Sequence, residues 1–240
     1  MLLSIIVPTL NEENHIGDLL ASLQLPNTPE YEAIVVDGAS TDRTSEISKA
    51  NGAVVEIRPK LKEFPSRNVG AEISNGDILV FTGADVIFPP NVLQNIADRF
   101  RSDPDVIAVA GPGVPITPPL ALGVEYSIYN LLRFVFHKLP KPFRKFSTST
   151  NMLAIRRDTF FDLGGFTDDV NADGLMGASL LAHGKTIFGY QNIYATISSR
   201  RLHKDGFWGF NKHFFYVLEN FVPIAKLPWF KKSKQQSYSS

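Results

Sequence analysis

The chain has 240 residues, 44% of them hydrophobic and 20% charged, with 24 Lys and Arg balancing 24 Asp and Glu and no cysteine. That composition suits a sizeable globular core and excludes a disordered chain, a disulfide framework, thiolate metal sites and a cysteine nucleophile. A formal net charge of zero leaves no global electrostatic case for nucleic acid, and none is expected as a partner.

Residues Met1 to Pro8 are apolar but too short, and without the basic leader, for a signal peptide; they read as a first strand. The longest charge-free stretch, Val106 to Val124, contains Pro112, Pro115, Pro118 and Pro119, so it cannot be a regular transmembrane helix. With no spanning segment and no cysteine, a cytoplasmic location is expected.

The first half alternates strands and helices. Leu3–Val7 is a strand, followed by the polar turn Pro8-Thr9-Leu10-Asn11-Glu12-Glu13 and a helix over His15 to Leu23, with Ile16, Leu19, Leu20 and Leu23 on one face. Tyr31–Val36 is a strand closed by Asp37-Gly38-Ala39-Ser40-Thr41-Asp42, where Thr41 or Asp42 caps a helix running to Ala50. Ala53–Ile57 is a third strand, Ser66 to Ser74 a helix and Ile78–Thr82 the central strand. Val92–Phe100 is a helix and Val106–Ala110 a strand. Repeated strand–helix units predict an α/β fold, a mostly parallel twisted sheet with helices on both faces.

The second half is less regular. Pro112 to Pro119 reads as a connection, Leu120 to His137 as an apolar and aromatic stretch, and Thr148–Ile155 as a strand leading to a helix that ends at Leu163. Leu175–His183 is a helix with a left-handed cap expected at Gly184, and Ile187–Tyr194 is a last strand.

The central strand stops at one carboxylate, Asp85, which is costly at a buried strand end unless a cation or donor partners it. Three polar clusters, Pro8 to Glu12, Asp37 to Asp42 and Gly83-Ala84-Asp85, end successive strands. In a parallel sheet they converge on the crevice outside the carboxyl ends, where ligands bind.

These residues resemble the family-2 glycosyltransferases of the GT-A, Rossmann-like fold. Pro8, Asn11 and Glu12 match a P-x-x-N-E element, and Val36 to Thr44 match V-D-D/G-x-S-x-D-x-T. Arg67-Asn68-Val69-Gly70 with Ser74-Asn75-Gly76-Asp77 matches an R-N-x-G-x-x-x-A/S-x-G-D segment, and Asp85 ends the D-x-D strand, whose first aspartate is Gly83 here. Ser198 to Gly206 resembles an S-x-R-R-x-x-x-x-G segment of a small single-domain subset.

The resemblance implies transfer of a sugar from a UDP- or GDP-sugar to an acceptor hydroxyl, with inversion. Asp37 would accept from the donor base, while Pro8, Thr9, Asn11, Glu12 and Gly38 line base and ribose. Arg67 and Ala84 would complete the nucleotide site, Arg200 or Arg201 would cover the diphosphate, and Asp85 would ligate Mg²⁺ or Mn²⁺, with His203 as a further metal ligand. Counting back from Gly184 puts the family's catalytic base at Asp173, with Asp162, Asp168 and Asp169 as neighbouring alternatives. The preceding glutamate of the family is Ala172, and its helix arginine is Ser179. A catalytically degenerate nucleotide-sugar-binding protein is the rival reading, because Gly83, Ala172 and Ser179 all stand where the family carries charge.

Two stretches mix aromatic with basic residues. Tyr126 to Lys145 holds Tyr129, Phe134, Phe136 and Phe143 with Arg133, His137, Lys138, Lys141 and Arg144; Phe207 to Lys232 holds Trp208, Phe214, Phe221 and Trp229 with Lys226 and Lys231. Both suit a membrane surface carrying a lipid-linked acceptor, or equally packing on the domain or a homodimer interface. The expected organisation is one transferase domain over 1–205, with a nucleotide-binding half at 1–110 and an acceptor half at 111–205, then an extension over 206–240.

Overall fold

The structure, a computed structural model, describes residues 1–198 other than 117, 119, 142 and 170. The predicted alternation appears as β1 (Leu3–Thr9), α1 (Ile16–Leu23), β2 (Tyr31–Asp37), α2 (Thr44–Ala50), β3 (Val54–Ile57), α3 (Glu63–Ile73) and β4 (Ile78–Phe81). Next come β5 (Val86–Ile87), α4 (Val92–Ser102), β6 (Val106–Ala110), β7 (Gly113–Pro115) and α5 (Leu120–Lys138). The described chain ends with β8 (Leu153–Arg156), α6 (Arg157–Asp162), α7 (Ala172–His183), β9 (Lys185–Phe188) and β10 (Ala195–Ile197).

The main sheet has the order β3-β2-β1-β4-β8-β6-β9. The pairs β3–β2, β2–β1, β1–β4 and β6–β9 are parallel, and only β8 runs against its neighbours. A small sheet, β5-β10-β7, flanks it. Both faces of the main sheet are covered, which is why its strands read as nearly continuous apolar runs. On β1, Leu3, Ile5 and Val7 pack with Leu19 and Leu23 of α1 and Ile96 of α4. Ile6 points the other way, toward Ala71 of α3, Phe160 of α6 and Met176 and Leu180 of α7. This is the GT-A type of α/β fold.

Several boundaries differ from the sequence expectation. Helix α3 begins at Glu63 rather than Ser66, because Pro65 falls in the first turn, where a backbone donor is not needed. The strand expected over Thr148–Ile155 is confined to Leu153–Arg156, since Ser149 to Met152 close a turn through Met152 N–H to the Ser149 carbonyl. The strand expected over Ile187–Tyr194 is confined to β9, which ends at Phe188, and the next strand, β10, starts only at Ala195 and joins the other sheet. Gly184 is not left-handed but extended, at φ −171°. The proline-rich connection contributes β7, and the aromatic stretch after it is one helix, α5. Arg133 and His137, read with the surface cations, are 1% and 4% exposed and belong to the interior. Among the described residues no helix is long and apolar enough to cross a membrane.

Candidate active site

Parallel pairing sets Thr9 beside Asp37, so the two polar clusters that follow leave the sheet side by side. They are then stitched together. Gly38 N–H donates to the Thr9 carbonyl at 2.9 Å, Asn11 N–H to Ser40 Oγ at 2.8 Å and Glu12 N–H to Thr44 Oγ1 at 2.7 Å. Asn11 takes φ 55°, a left-handed conformation that Asn tolerates better than most residues, and its Oδ1 accepts from Thr41 N–H at 2.9 Å. The side chain of Asn11 therefore braces the loop.

Asp37 is 1% exposed and held from two sides. Its Oδ1 accepts from Ser40 N–H at 2.9 Å and from Ser40 Oγ at 2.6 Å, and its Oδ2 accepts from the Ser45 hydroxyl. A carboxylate has about four acceptor positions, so an oriented lone pair is left for a further donor. Beside it the buried Thr9 Oγ1 finds no hydrogen-bond partner among the described residues, which is uncommon for a buried hydroxyl outside a binding site. Pro8 and Glu12 are half-buried along the same rim.

The end of β4 completes the edge. Thr82 and Ala84 are buried, while Gly83 and Asp85 are half-buried. Arg67 is 2% exposed under this strand end: its Nη1 donates to the Thr82 carbonyl at 2.7 Å and its Nη2 pairs with Glu63 at 2.8 Å. A Cβ placed on Gly83 would lie 3.0 Å from Asp85 Oδ1 and 3.8 Å from Asn151 Oδ1. The point from which the family's first D-x-D aspartate would project thus faces both the Asp85 carboxylate and the Asn151 carboxamide. Nothing in the sequence singled out Asn151. Its only signal is a polar run, Ser147 to Asn151, directly before a buried strand. Asp85 and Asn151 are oxygen donors suited to a hard divalent cation that takes its other ligands from water and phosphate, so the residues present fit Mg²⁺ or Mn²⁺.

Asp173 lies in the first turn of α7, as the count from Gly184 required. Burial raises the pKa of its carboxyl above the usual aspartate value. The Glu63 carboxylate pushes the same way, against the Gly174 N–H and the Arg133 and Arg67 cations. Arg133 donates Nε and Nη2 to the Ser147 carbonyl at 3.0 and 2.9 Å, with Phe188 4.7 Å across its face. Helix α7 can approach this segment because residue 177 is glycine: a Cβ there would meet the Phe146 carbonyl oxygen at 2.3 Å. Of the alternatives to Asp173, Asp168 is exposed and paired with Lys62 at 2.9 Å, Asp169 accepts from Asn171 N–H at 2.8 Å, and Asp162 ends α6 on the surface. Arg200, Arg201 and His203 lie outside the described residues.

An oriented carboxylate, a buried hydroxyl without a partner among the described residues and the Asp85 carboxylate thus gather at the carboxyl ends of parallel strands, the position at which α/β sheets bind ligands. Residues 4–162 match the family model "Glycosyl transferase family 2", and the chain belongs to that family. It is similar to an uncharacterized glycosyltransferase of Haemophilus influenzae, 32% identical over 113 residues, covering 46% of this chain and 38% of that protein. It is also similar to the poly(ribitol-phosphate) beta-N-acetylglucosaminyltransferase TarS of Staphylococcus aureus, 33% identical over 129 residues, covering 48% of this chain and 22% of the relative. The chain therefore spans well under half the length of these relatives. In fold it resembles a mannosyltransferase from Pyrobaculum calidifontis in complex with GDP-Man and Mn²⁺. That likeness has a TM-score of 0.66 at 23% identity and covers 93% of this chain and 68% of the other.

Proposed function

We propose that this chain is a nucleotide-sugar glycosyltransferase of hexosyltransferase type, moving a sugar from a UDP- or GDP-sugar to an acceptor hydroxyl with inversion. The observation that carries the reading is the register of Thr9 with Asp37, which sets the oriented carboxylate and the orphan hydroxyl at one strand edge next to Asp85. Family membership and the activities named for its relatives support it.

Asp37 accepts from the donor's base; Pro8, Thr9, Asn11, Glu12 and Gly38 shape the base and ribose pocket. Arg67 serves the nucleotide from behind, by holding the Thr82 carbonyl, with Ala84 between that carbonyl and Asp85. Asp85 would hold Mg²⁺ or Mn²⁺ beside the diphosphate, and the cation would supply the positive charge that offsets the departing nucleoside diphosphate. Asp173 takes the proton of the acceptor hydroxyl, and burial, by raising the pKa of its carboxyl above the usual aspartate value, makes it a better proton acceptor. Arg200 or Arg201 covers the diphosphate.

The acceptor is a glycan or a lipid-linked chain delivered at an anionic membrane face, with the enzyme peripheral on its cytoplasmic side. Helix α5 exposes Val124, Ile128, Leu131 and Val135 in one stripe, followed by exposed Lys138, Lys141 and Phe143, and no Asp or Glu occurs between Glu125 and Asp158. In this reading the transferase domain fills 1–205, and the aromatic, basic extension 206–240 adds to the same membrane contact. The same stripe buried between two copies of the chain is the homodimer alternative.

Calorimetric titration with UDP, GDP and their sugar conjugates, with and without Mn²⁺, tests the reading. Metal-dependent binding of one nucleotide, lost in Asp85→Ala, is expected; no binding of any nucleotide would overturn it. Gly83, Ala172 and Ser179 favour a second reading, a protein that binds the donor without transfer. It predicts the same binding with no sugar release.

A further inference from the structure

Glycine at position 83 leaves the strand end with one carboxylate where the family has two. A Cβ there would sit 3.0 Å from Asp85 Oδ1, a tight contact that the Asp85 side chain would have to relieve. Across that gap stands Asn151, with Oδ1 3.8 Å from the same point and Nδ2 3.7 Å from where a Cβ of Gly113 would be. Gly83, in the connection after β4, and Gly113 on β7 thus leave open the space in which this carboxamide sits.

Asn151 is also fastened to the strand that carries Asp85. Thr82 Oγ1 donates to the Asn151 carbonyl at 3.2 Å, and Asn151 N–H reaches Ser149 Oγ at 3.4 Å. The hydrogen bonds Asn151 makes among the described residues run through its main chain, leaving the carboxamide for a ligand. The antiparallel insertion of β8 beside β4, pairing Phe81 with Leu153, fixes this juxtaposition.

We infer that Asn151 is the second protein oxygen on the divalent cation held by Asp85, a neutral ligand supplied from the turn before β8 in place of the missing aspartate. The inference rests on the nucleotide-sugar reading and adds to it a residue and a consequence. One carboxylate and one amide oxygen bind a hard cation weakly, since ligand charge sets much of the affinity. The cation is therefore captured together with the nucleoside diphosphate rather than before it.

The test is Mn²⁺ binding to the full chain, read by electron paramagnetic resonance of free Mn²⁺, alone and with saturating UDP or GDP. Wild type is expected to take up Mn²⁺ appreciably only with nucleotide. Asn151→Asp, which restores a second carboxylate, should tighten Mn²⁺ about tenfold, and Asn151→Ala should loosen it by about the same factor. If wild type binds nucleotide with Mn²⁺ but neither variant shifts the Mn²⁺ affinity, the inference falls and the nucleotide-sugar reading stands. If wild type binds nucleotide equally well without metal, the inference also falls. Failure of wild type to bind either nucleotide at all overturns the underlying reading instead.

Discussion

The Arg67 guanidinium donates to the Thr82 carbonyl at 2.7 Å, so the strand end that presents Asp85 rests on a buried cation from α3. Thr82 is the last residue before the Gly83 gap, and its carbonyl would otherwise be a buried acceptor without an obvious partner. Arg67→Ala is expected to cost about 2–4 kcal/mol of stability, from the lost packing and the unsatisfied carbonyl. Denaturant unfolding checks this. Folded variant should also bind nucleotide more weakly, because Asp85 loses its support; unchanged stability and affinity would contradict the account.

Asp173→Asn separates chemistry from binding. Turnover should fall about 10²- to 10⁴-fold, the range typical of a lost general base, with nucleotide affinity unchanged. The carboxyl is raised above its usual value by burial first and by Glu63 second. The wild-type rate should accordingly climb with pH through a pKa above the ordinary aspartate range. Because the folded protein holds this proton more tightly than the unfolded chain, the group's contribution to stability is full at low pH and is lost as pH rises through the folded pKa. Asn, which never ionises, should therefore leave the protein at least as stable at pH 7.

His137 reports the opposite sign. It is buried on α5, with Nε2 3.1 Å from Thr186 Oγ1 and accepting from Arg144 Nη2 at 3.3 Å; burial, then Arg144 and Lys138, lower its pKa to about 4. The unfolded chain binds this proton near pH 6.5, so the contribution of the neutral ring is complete above that pH and lost on acidification toward pH 4. The difference amounts to about 3 kcal/mol. Unfolding measured at pH 7 and pH 4.5 should show a steeper acid loss for wild type than for His137→Asn.

The α5 stripe makes a physical prediction of its own. Flotation with vesicles containing anionic lipid should carry the full chain, and Leu131→Ser with Phe143→Ser should reduce that fraction severalfold, since each removes apolar area from the contact. High salt should weaken binding through Lys138 and Lys141. Equal flotation of the variants would move the contact elsewhere, and wholly soluble wild type would remove it.

The part of the site nearest the N-terminus was the most legible, for a physical reason. Thr9 and Asp37 end parallel neighbours, and turn residues such as Asn11, Gly38 and Ser40 announce themselves locally. Asp173 could be placed because a helix and its terminal glycine fix a count, even though Gly184 proved extended rather than left-handed. Asn151 is invisible in the sequence, because its position depends on β8 running antiparallel between β4 and β6, a pairing that joins residues as distant as Ile78 and Arg156. The inward placement of Arg133 and His137 is hidden from the sequence for a related reason. On a helix as apolar as α5 the sequence does not say which face is inside, and here the cations turn inward to Ser147 and Thr186 while valine, isoleucine and leucine face out.

In the proposed function the ends of β1, β2 and β4 form one nucleotide site, and hydrogen–deuterium exchange with and without nucleotide checks that convergence. With UDP or GDP and Mn²⁺, amide protection is expected to rise in residues 9–13, 37–44 and 82–86 together, around the stitched loops and Asp85. Protection confined to other segments, with these three unchanged while nucleotide is bound, would contradict it.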